Sequence, residues 1–467
     1  MRRFFVAVAI LTACSGSSSH TALSSADAGT GQEDAGHAGS QGSGSAHHED
    51  GGRGGMSSSG TGEGGIVGDD AGDPNQEGGT APTHPDATVP SDAGAMSTPG
   101  NTNGSCTSMS IPAETKLVDT SSPTTVVGTG TAASCTFTAL SAAVTKGGTV
   151  TFDCGPGAVT IPVTATLTPP TSNEYAHQAP LTVVIDGGGK VTLDGQGSVR
   201  IMSWVHTGSW RVNQDTLTLQ RLTFVNGKAT PTEAVPACPP ANGIANTACS
   251  TGYDDGQGGA LNMRDGNLRV IECTFENNEA AMLGPDTGGG AIYLQATASP
   301  SYIMQSSFLN NTASNAGGIG MLWAGAYVLN SLFEGNKAVG TGANSNSASE
   351  CTCSNMGNAN QTGSGGNGGA LYKDGGDGVN LTVCGTEIKG NTSNEFGPAI
   401  FLTADGSSAE LVIDDCDITE NTGNAVWHWC LGVSTDNPTT TTGGSPAPVK
   451  TTFCDATGAN CTMSCGS

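Results

Sequence analysis

Six glycine-led apolar segments recur between Gly258 and Trp429. They read GGALNMR from Gly258, GGAIYLQ from Gly289, GGIGMLW from Gly317, GGALYKD from Gly368, GPAIFLT from Gly397 and GNAVWHW from Gly423. They alternate with segments that close on a turn: FVNG from Phe224, FENN from Phe275, FLNN from Phe308, FEGN from Phe333, IKGN from Ile388 and ITEN from Ile418. Successive closings lie 51, 33, 25, 55 and 30 residues apart. With the insertions at 228–257 and 338–367 set aside, the unit is roughly 20 to 35 residues, a period that belongs to solenoids. No helical periodicity runs through it, and each unit holds two or three short β-rich runs. One such unit has no core of its own and must stack on its neighbours. We therefore expect an all-β chain, a single-stranded right-handed parallel β-helix of roughly eight to ten coils.

Stacking the glycine segments turns them into columns whose faces alternate. Leu261, Ile292, Gly320, Leu371, Ile400 and Val426 form one inward column, and Met263, Leu294, Leu322, Lys373, Leu402 and His428 the next. On the opposite face stand Tyr293, Tyr372, Phe401 and Trp427, followed two places on by Trp323 and Trp429. Only 5% of the chain is aromatic, so this clustering points to an exposed strip that stacks on sugar rings. Asn278, Asn311, Asn336, Asn391 and Asn421 make a structural column, with left-handed turns and amides bonded along the stack. Phe275, Phe308 and Phe333 should stack beneath them.

The GGA-[IL] and F-x-x-N pairs resemble the repeats of polymorphic outer-membrane proteins, over about 224–430. The stretch VVIDGGGKVTLDG and its surroundings are similar to pectin-lyase-like β-helix proteins, over about 135–430. The second resemblance implies an alternative activity, polysaccharide lyase or glycoside hydrolase. No catalytic residue is assigned. A lyase would need several carboxylates around calcium beside a base, and a hydrolase two or three carboxylates at a groove. Asp255 and Asp286 each precede a glycine segment by three residues and would sit about 5 Å apart on adjacent coils. Carboxylates that close call for a cation or a shared proton, so calcium is the one cofactor the sequence raises. His206 and Arg264 have no partner identifiable from the sequence.

The chain opens MRRFFVAVAILTACSGSS, two arginines before a short apolar run, which reads as an export signal. Leu11-Thr12-Ala13-Cys14 resembles the lipobox of bacterial lipoproteins, which implies lipid attachment at Cys14 and residence in the outer membrane, at the surface of a Gram-negative cell. Residues 1–14 are then the signal and lipobox. Residues 15–105 hold 22 glycines, 12 acidic residues, one basic residue and no aromatic, the composition of a disordered tether. The β-helix is expected over 106–430, with a short helix near Ala139–Val144 capping its open end, and a cysteine-rich cap over 431–467. Fourteen cysteines remain after Cys14, an even number in an oxidising compartment, which suggests up to seven disulfides. Cys430, Cys454, Cys461 and Cys465 would staple the cap, and Cys238 with Cys249 the first insertion.

A net charge of −25, from 16 basic and 41 acidic residues, excludes nucleic acid and an anionic membrane surface as electrostatic partners. The membrane is met through the lipid anchor only. The reading closes on a surface-exposed, non-catalytic protein whose partner is a polysaccharide or another cell-surface component.

Overall fold

The computed structural model describes residues 99–107, 109–173, 177–207, 209–232, 255–282, 287–340, 365–375, 379–403, 409–423, 433–435 and 450–453. Over these residues the chain winds as a parallel solenoid, because every strand pairs in parallel with the strand one coil away. Three long rows of strands run along it, with a fourth, short row of Thr312–Ala313, Lys337–Ala338 and Thr392–Ser393. The first contains Asn267–Ile271, Ser301–Met304, Ala326–Leu329, Leu381–Cys384 and Glu410–Asp414. The second contains Thr274–Glu276, Ser307–Leu309, Leu332–Glu334, Glu387–Lys389 and Asp417–Thr419. In the early coils these two rows are single long strands, Thr182–Asp194 and Thr216–Val225. The third row is a separate sheet that runs from Met202–Val205 through the glycine segments to Val433–Thr435.

The coils therefore continue past residue 430. Val433–Thr435 and Lys450–Phe453 pair with the preceding coil inside the region expected to be a separate cap. Cys430, Cys454, Cys461 and Cys465 lie outside the described residues, as do Cys14, Cys238, Cys249 and most of the expected tether. At the other end the helix Phe137–Lys146 closes the solenoid as expected, burying Leu140, Ala143 and Val144, with Thr136 accepting from the Ala139 N–H at its start. No helix among the described residues is long and apolar enough to cross a membrane.

Two internal ladders hold the coils in register. Phe224, Phe275, Phe308 and Phe333 stack with centroids 4.7, 5.0 and 4.5 Å apart and nearly parallel rings. Beside them the asparagine column forms as expected. Asn311 donates through Nδ2 to Asn336 Oδ1 at 2.9 Å and to the Phe275 carbonyl at 3.0 Å, and its backbone N–H reaches Asn336 Oδ1 at 3.1 Å. Asn278, Asn336 and Asn391 repeat the arrangement, so each buried amide is satisfied by the coils on both sides of it. The left-handed residue is not the ladder asparagine but its predecessor, Asn277, Asn310 or Gly335.

A second column at the corner between the first two rows revises the cysteine count. Cys273 N–H donates to Ser306 Oγ, Ser306 N–H to Ser331 Oγ and Ser331 N–H to Thr386 Oγ1, with Cys416 next in line. Cys273 and Cys416 are buried free thiols occupying a place otherwise filled by hydroxyls, and burial pushes both pKa values up to about 12. Seven disulfides are thus excluded, since these two thiols sit at opposite ends of one ladder. The described disulfides are Cys135–Cys154 and Cys106–Cys384.

Order begins before residue 106. Residues 100–120 run as a strap down the flank, against the winding direction, from Asn330 and Gly385 to Gln220 and Asp186. The disulfide Cys106–Cys384 closes a separation of 278 residues, for which chain entropy alone would contribute about 5 kcal/mol.

The ladder makes a specific demand on stability. Replacing Asn336 by Ala leaves buried donors on Asn311 and the acceptor position on the Phe308 carbonyl without their partner, and Asn391 Oδ1 keeps only the residue-336 backbone N–H. We expect a loss of about 3 kcal/mol in urea unfolding; a loss below about 0.5 kcal/mol would show that the ladder does not stabilise the stack.

Candidate functional site

Strand parity is as expected in the segments from Gly258, Gly289, Gly368 and Gly397, but the exposure is not. Leu261, Met263, Ile292, Leu294, Leu371 and Ile400 enter the main core, while Tyr372 and Phe401 pack in a separate outer cluster with Ala316 and Phe396. Tyr372 stacks on Phe401 at 5.5 Å, and its hydroxyl donates to Asp374 Oδ2 at 2.6 Å. Tyr293, Tyr372 and Phe401 are 1%, 1% and 0% exposed, so they do not form a strip open to sugar rings. Asp374, on the same outer face, is buried as well.

The cause of this burial lies in the repeat itself. At Gly289, with φ +67°, the chain folds back so tightly that a Cβ would lie 2.1 Å from the Ile292 carbonyl oxygen and 2.8 Å from the Tyr293 nitrogen. The glycine turn thus lies against the outer side of its own strand. The same turn column continues through Gly368 and Gly397, with Ala316 at φ +51° between Gly289 and Gly368.

Ala316 also exposes a slip of one residue in the third coil. Ile319, not Gly320, pairs with Ile292 and Leu371, which sends Met321 inward and sets Gly320 beside Tyr293. Trp323 falls one place beyond the strand, at left-handed φ +52°, in the turn column of Asp265 and Ala296. Its ring lies over Gly375 of the next coil, and the residue remains partly exposed. Lys373, a charged member of the expected inward column, does point inward, and its ammonium donates to the Gly375 carbonyl.

Trp427, Trp429 and Asp286 lie outside the described residues. Asp255 holds Thr232, accepting from its N–H at 2.6 Å and its hydroxyl at 2.7 Å. A cleft of about 280 Å³ opens near the first coils beside Asp186, Lys190 and Arg221. The Asp186 carboxylate there already accepts from Thr120, Gln220, Arg221 and the Gly188 N–H. Burial acts to raise its pKa, but those hydrogen bonds outweigh burial and hold it below the usual value. Asp186 is therefore a structural anchor.

The side chains best placed to meet a ligand belong to the loop between Val205 and Thr216. His206 Nδ1 lies 3.0 Å from the Arg264 carbonyl and its Nε2 3.0 Å from Asp215 Oδ2, so both ring nitrogens face acceptors. Asp215, fully buried, also accepts from the Ser172 N–H, the Ser172 hydroxyl and the Leu181 N–H. Farther along, the N–H groups of Val212 and Asn213 donate to the buried Asp265 carboxylate, and the Arg211 N–H donates to the Ala296 carbonyl at 3.1 Å. Trp204 stands beneath, edge-on to His206, its indole N–H bonded to the Pro170 carbonyl.

Between these anchors Trp210 is 43% exposed, beside the exposed side chain of Val212. The Arg264 guanidinium lies 5.5 Å from the indole centroid, a cation–π contact. No carboxylate of a described residue pairs with Arg264, and its buried Nε has no hydrogen-bond partner among them. Ala296, on which the loop docks, is directly followed in its column by Trp323. Both partners that the sequence withheld, those of His206 and Arg264, are thus found here. The signal that points to this place is a Trp-Arg pair in a polar turn, SWRVNQD, separate from the repeat.

Comparison of the chain with protein-family models, with curated proteins and with solved structures gave no match.

Asp215 gives the loop a defined pH response. Burial raises its pKa, but hydrogen bonds from Ser172, Leu181 and His206 outweigh burial and leave it lowered. A lowered carboxylate contributes fully above its unfolded value of about 3.9, and that contribution is lost as pH falls through the folded value. The fluorescence difference between wild type and Trp210→Phe should hold steady down to about pH 4 and change only below it. A transition centred near neutrality would contradict the assignment.

Proposed function

We propose that the protein is an exported β-helix, carried at the outer surface of a Gram-negative cell by a lipid on Cys14, and that it binds glycan without transforming it. On this reading the chain is a pectin-lyase-like β-helix with repeats of the polymorphic outer-membrane type.

The observation that carries the binding reading is the half-exposed indole of Trp210 on a loop pinned at both ends. Ligand groups held by rigid anchors lose little freedom on binding, which favours affinity. A flat aromatic face offers apolar area to the C–H face of a sugar ring. Arg264 adds a donor fork that suits a carboxylated sugar. Trp323, one coil above the docking point of the loop, extends the platform along the same edge. Contact therefore runs along the turns that follow the glycine strands, and the buried aromatic stack serves to hold those turns in place.

Affinity electrophoresis against neutral and uronate-containing polysaccharides tests this. Trp210→Ala should weaken retention roughly tenfold, the equivalent of about 1.4 kcal/mol, and Arg264→Gln should weaken it on the uronates alone. Unchanged retention in Trp210→Ala, with a native circular dichroism spectrum, would remove the loop from the binding surface.

A further inference from the structure

The strap from Gly100 to Thr120 is held in two places. At its upper end Gly100 N–H donates to Ser307 Oγ at 2.7 Å, Asn101 N–H to the Asn330 carbonyl at 3.0 Å and Asn101 Nδ2 to the Gly385 carbonyl at 3.1 Å. Cys106 N–H donates to Asn330 Oδ1 at 2.9 Å, and its sulfur is bonded to Cys384. At the lower end Val118 exchanges two hydrogen bonds with Gln220, and the Thr120 hydroxyl donates to Asp186.

Between the clamps the strap has apolar contacts. Met109 and Ile111 pack with Cys106, Leu329 and Cys384, and Met304 and Tyr327 border the same cluster. This cluster is separate from the solenoid core, whose residues on these strands are Ile303, Val328 and Val383. Tyr302 and Tyr327 stack at 5.4 Å beside it. The first-row strands thus carry apolar and aromatic groups on their outward side, and the strap covers them.

We propose that the strap is a disulfide-locked latch: reduction of Cys106–Cys384 frees its upper half from the flank and uncovers the shelf of Met304, Tyr327 and Leu329 while the coils stay wound. An external dithiol is the reductant. Its two sulfurs join as a disulfide, and its two electrons and two protons leave Cys106 and Cys384 as thiols.

The disulfide decides the outcome because the remaining hold is thin. Four hydrogen bonds and a small apolar cluster must offset the ordering of the whole upper half, and released chain regains that freedom. The coils do not depend on the latch, because the asparagine and phenylalanine ladders lie on other columns and bond only to one another and to coil backbone. Tyr302 supplies an internal reporter. Its phenol pKa is raised, first by burial and then by the charge of Glu114, which belongs to the strap.

Hydrogen exchange of the full chain, folded oxidised and then treated with a dithiol under native conditions, tests the latch. The amides of Asn101 and Cys106 should exchange roughly 100-fold faster after reduction, those of Asn311 and Asn336 should remain far slower than the strap amides, and the Tyr302 phenol should ionise at lower pH. Cys106→Ser/Cys384→Ser should reproduce this without reductant, and Cys135→Ser/Cys154→Ser should keep a latch that still opens on reduction. Strap amides that stay protected after reduction would overturn the proposal. So would coil amides that exchange along with them, since the strap would then be part of the coil stack.

Discussion

Every coil of this protein depends on hydrogen bonds that pass from one turn to the next along the solenoid axis. Backbone ladders supply most of them, but backbone pairing alone specifies register only weakly in strands as glycine-rich as these. The asparagine column removes that ambiguity. An amide that must donate to the carbonyl of one neighbour and to the side chain of another fits a single axial position. The phenylalanine stack adds dispersion and the hydrophobic effect at the same height. Because both ladders are internal, the insertions can differ in length without disturbing the turns above and below.

Much of this architecture was legible from residue spacing. The period, the inward Leu and Ile columns, the asparagine ladder and the capping helix all follow from recurrence and strand alternation. What escaped was set by backbone that doubles back. Pattern alone places Tyr293, Tyr372 and Phe401 on the outer face, where they are, but says nothing of a glycine turn lying against that face. The register slip at Gly320 has a similar origin, because Ala316 fills a position that glycine holds in the neighbouring coils. Cys273 and Cys416 counted as disulfide halves until the stack placed them in line with serine and threonine. The strap carries no periodic signal, because it crosses the coils instead of joining them.

The candidate binding loop was illegible for a different reason. Trp210 lies apart from the repeat, and its importance rests on a buried knot of His206, Asp215 and Asp265 whose members are brought together only by stacking. A solenoid gives any such loop a long, straight edge to work along. Here that edge carries Trp323 one turn beyond Ala296, on which the Trp210 loop docks, with Arg264 behind the Trp210 indole. The repeat thus supplies the scaffold, and irregular sequence supplies the chemistry.

The winding can be measured directly. Glu276 and Thr419 occupy equivalent places four coils apart, linked through Leu309, Glu334 and Lys389. At about 4.8 Å per coil their backbones should be separated by roughly 19 Å. Spin labels on Glu276→Cys and Thr419→Cys would report this by pulsed dipolar spectroscopy, with Cys273 and Cys416 protected by burial and by thiol pKa values pushed up to about 12. The account predicts one narrow distance distribution near that value. A broad distribution, or one centred beyond about twice that separation, would contradict a chain wound coil upon coil.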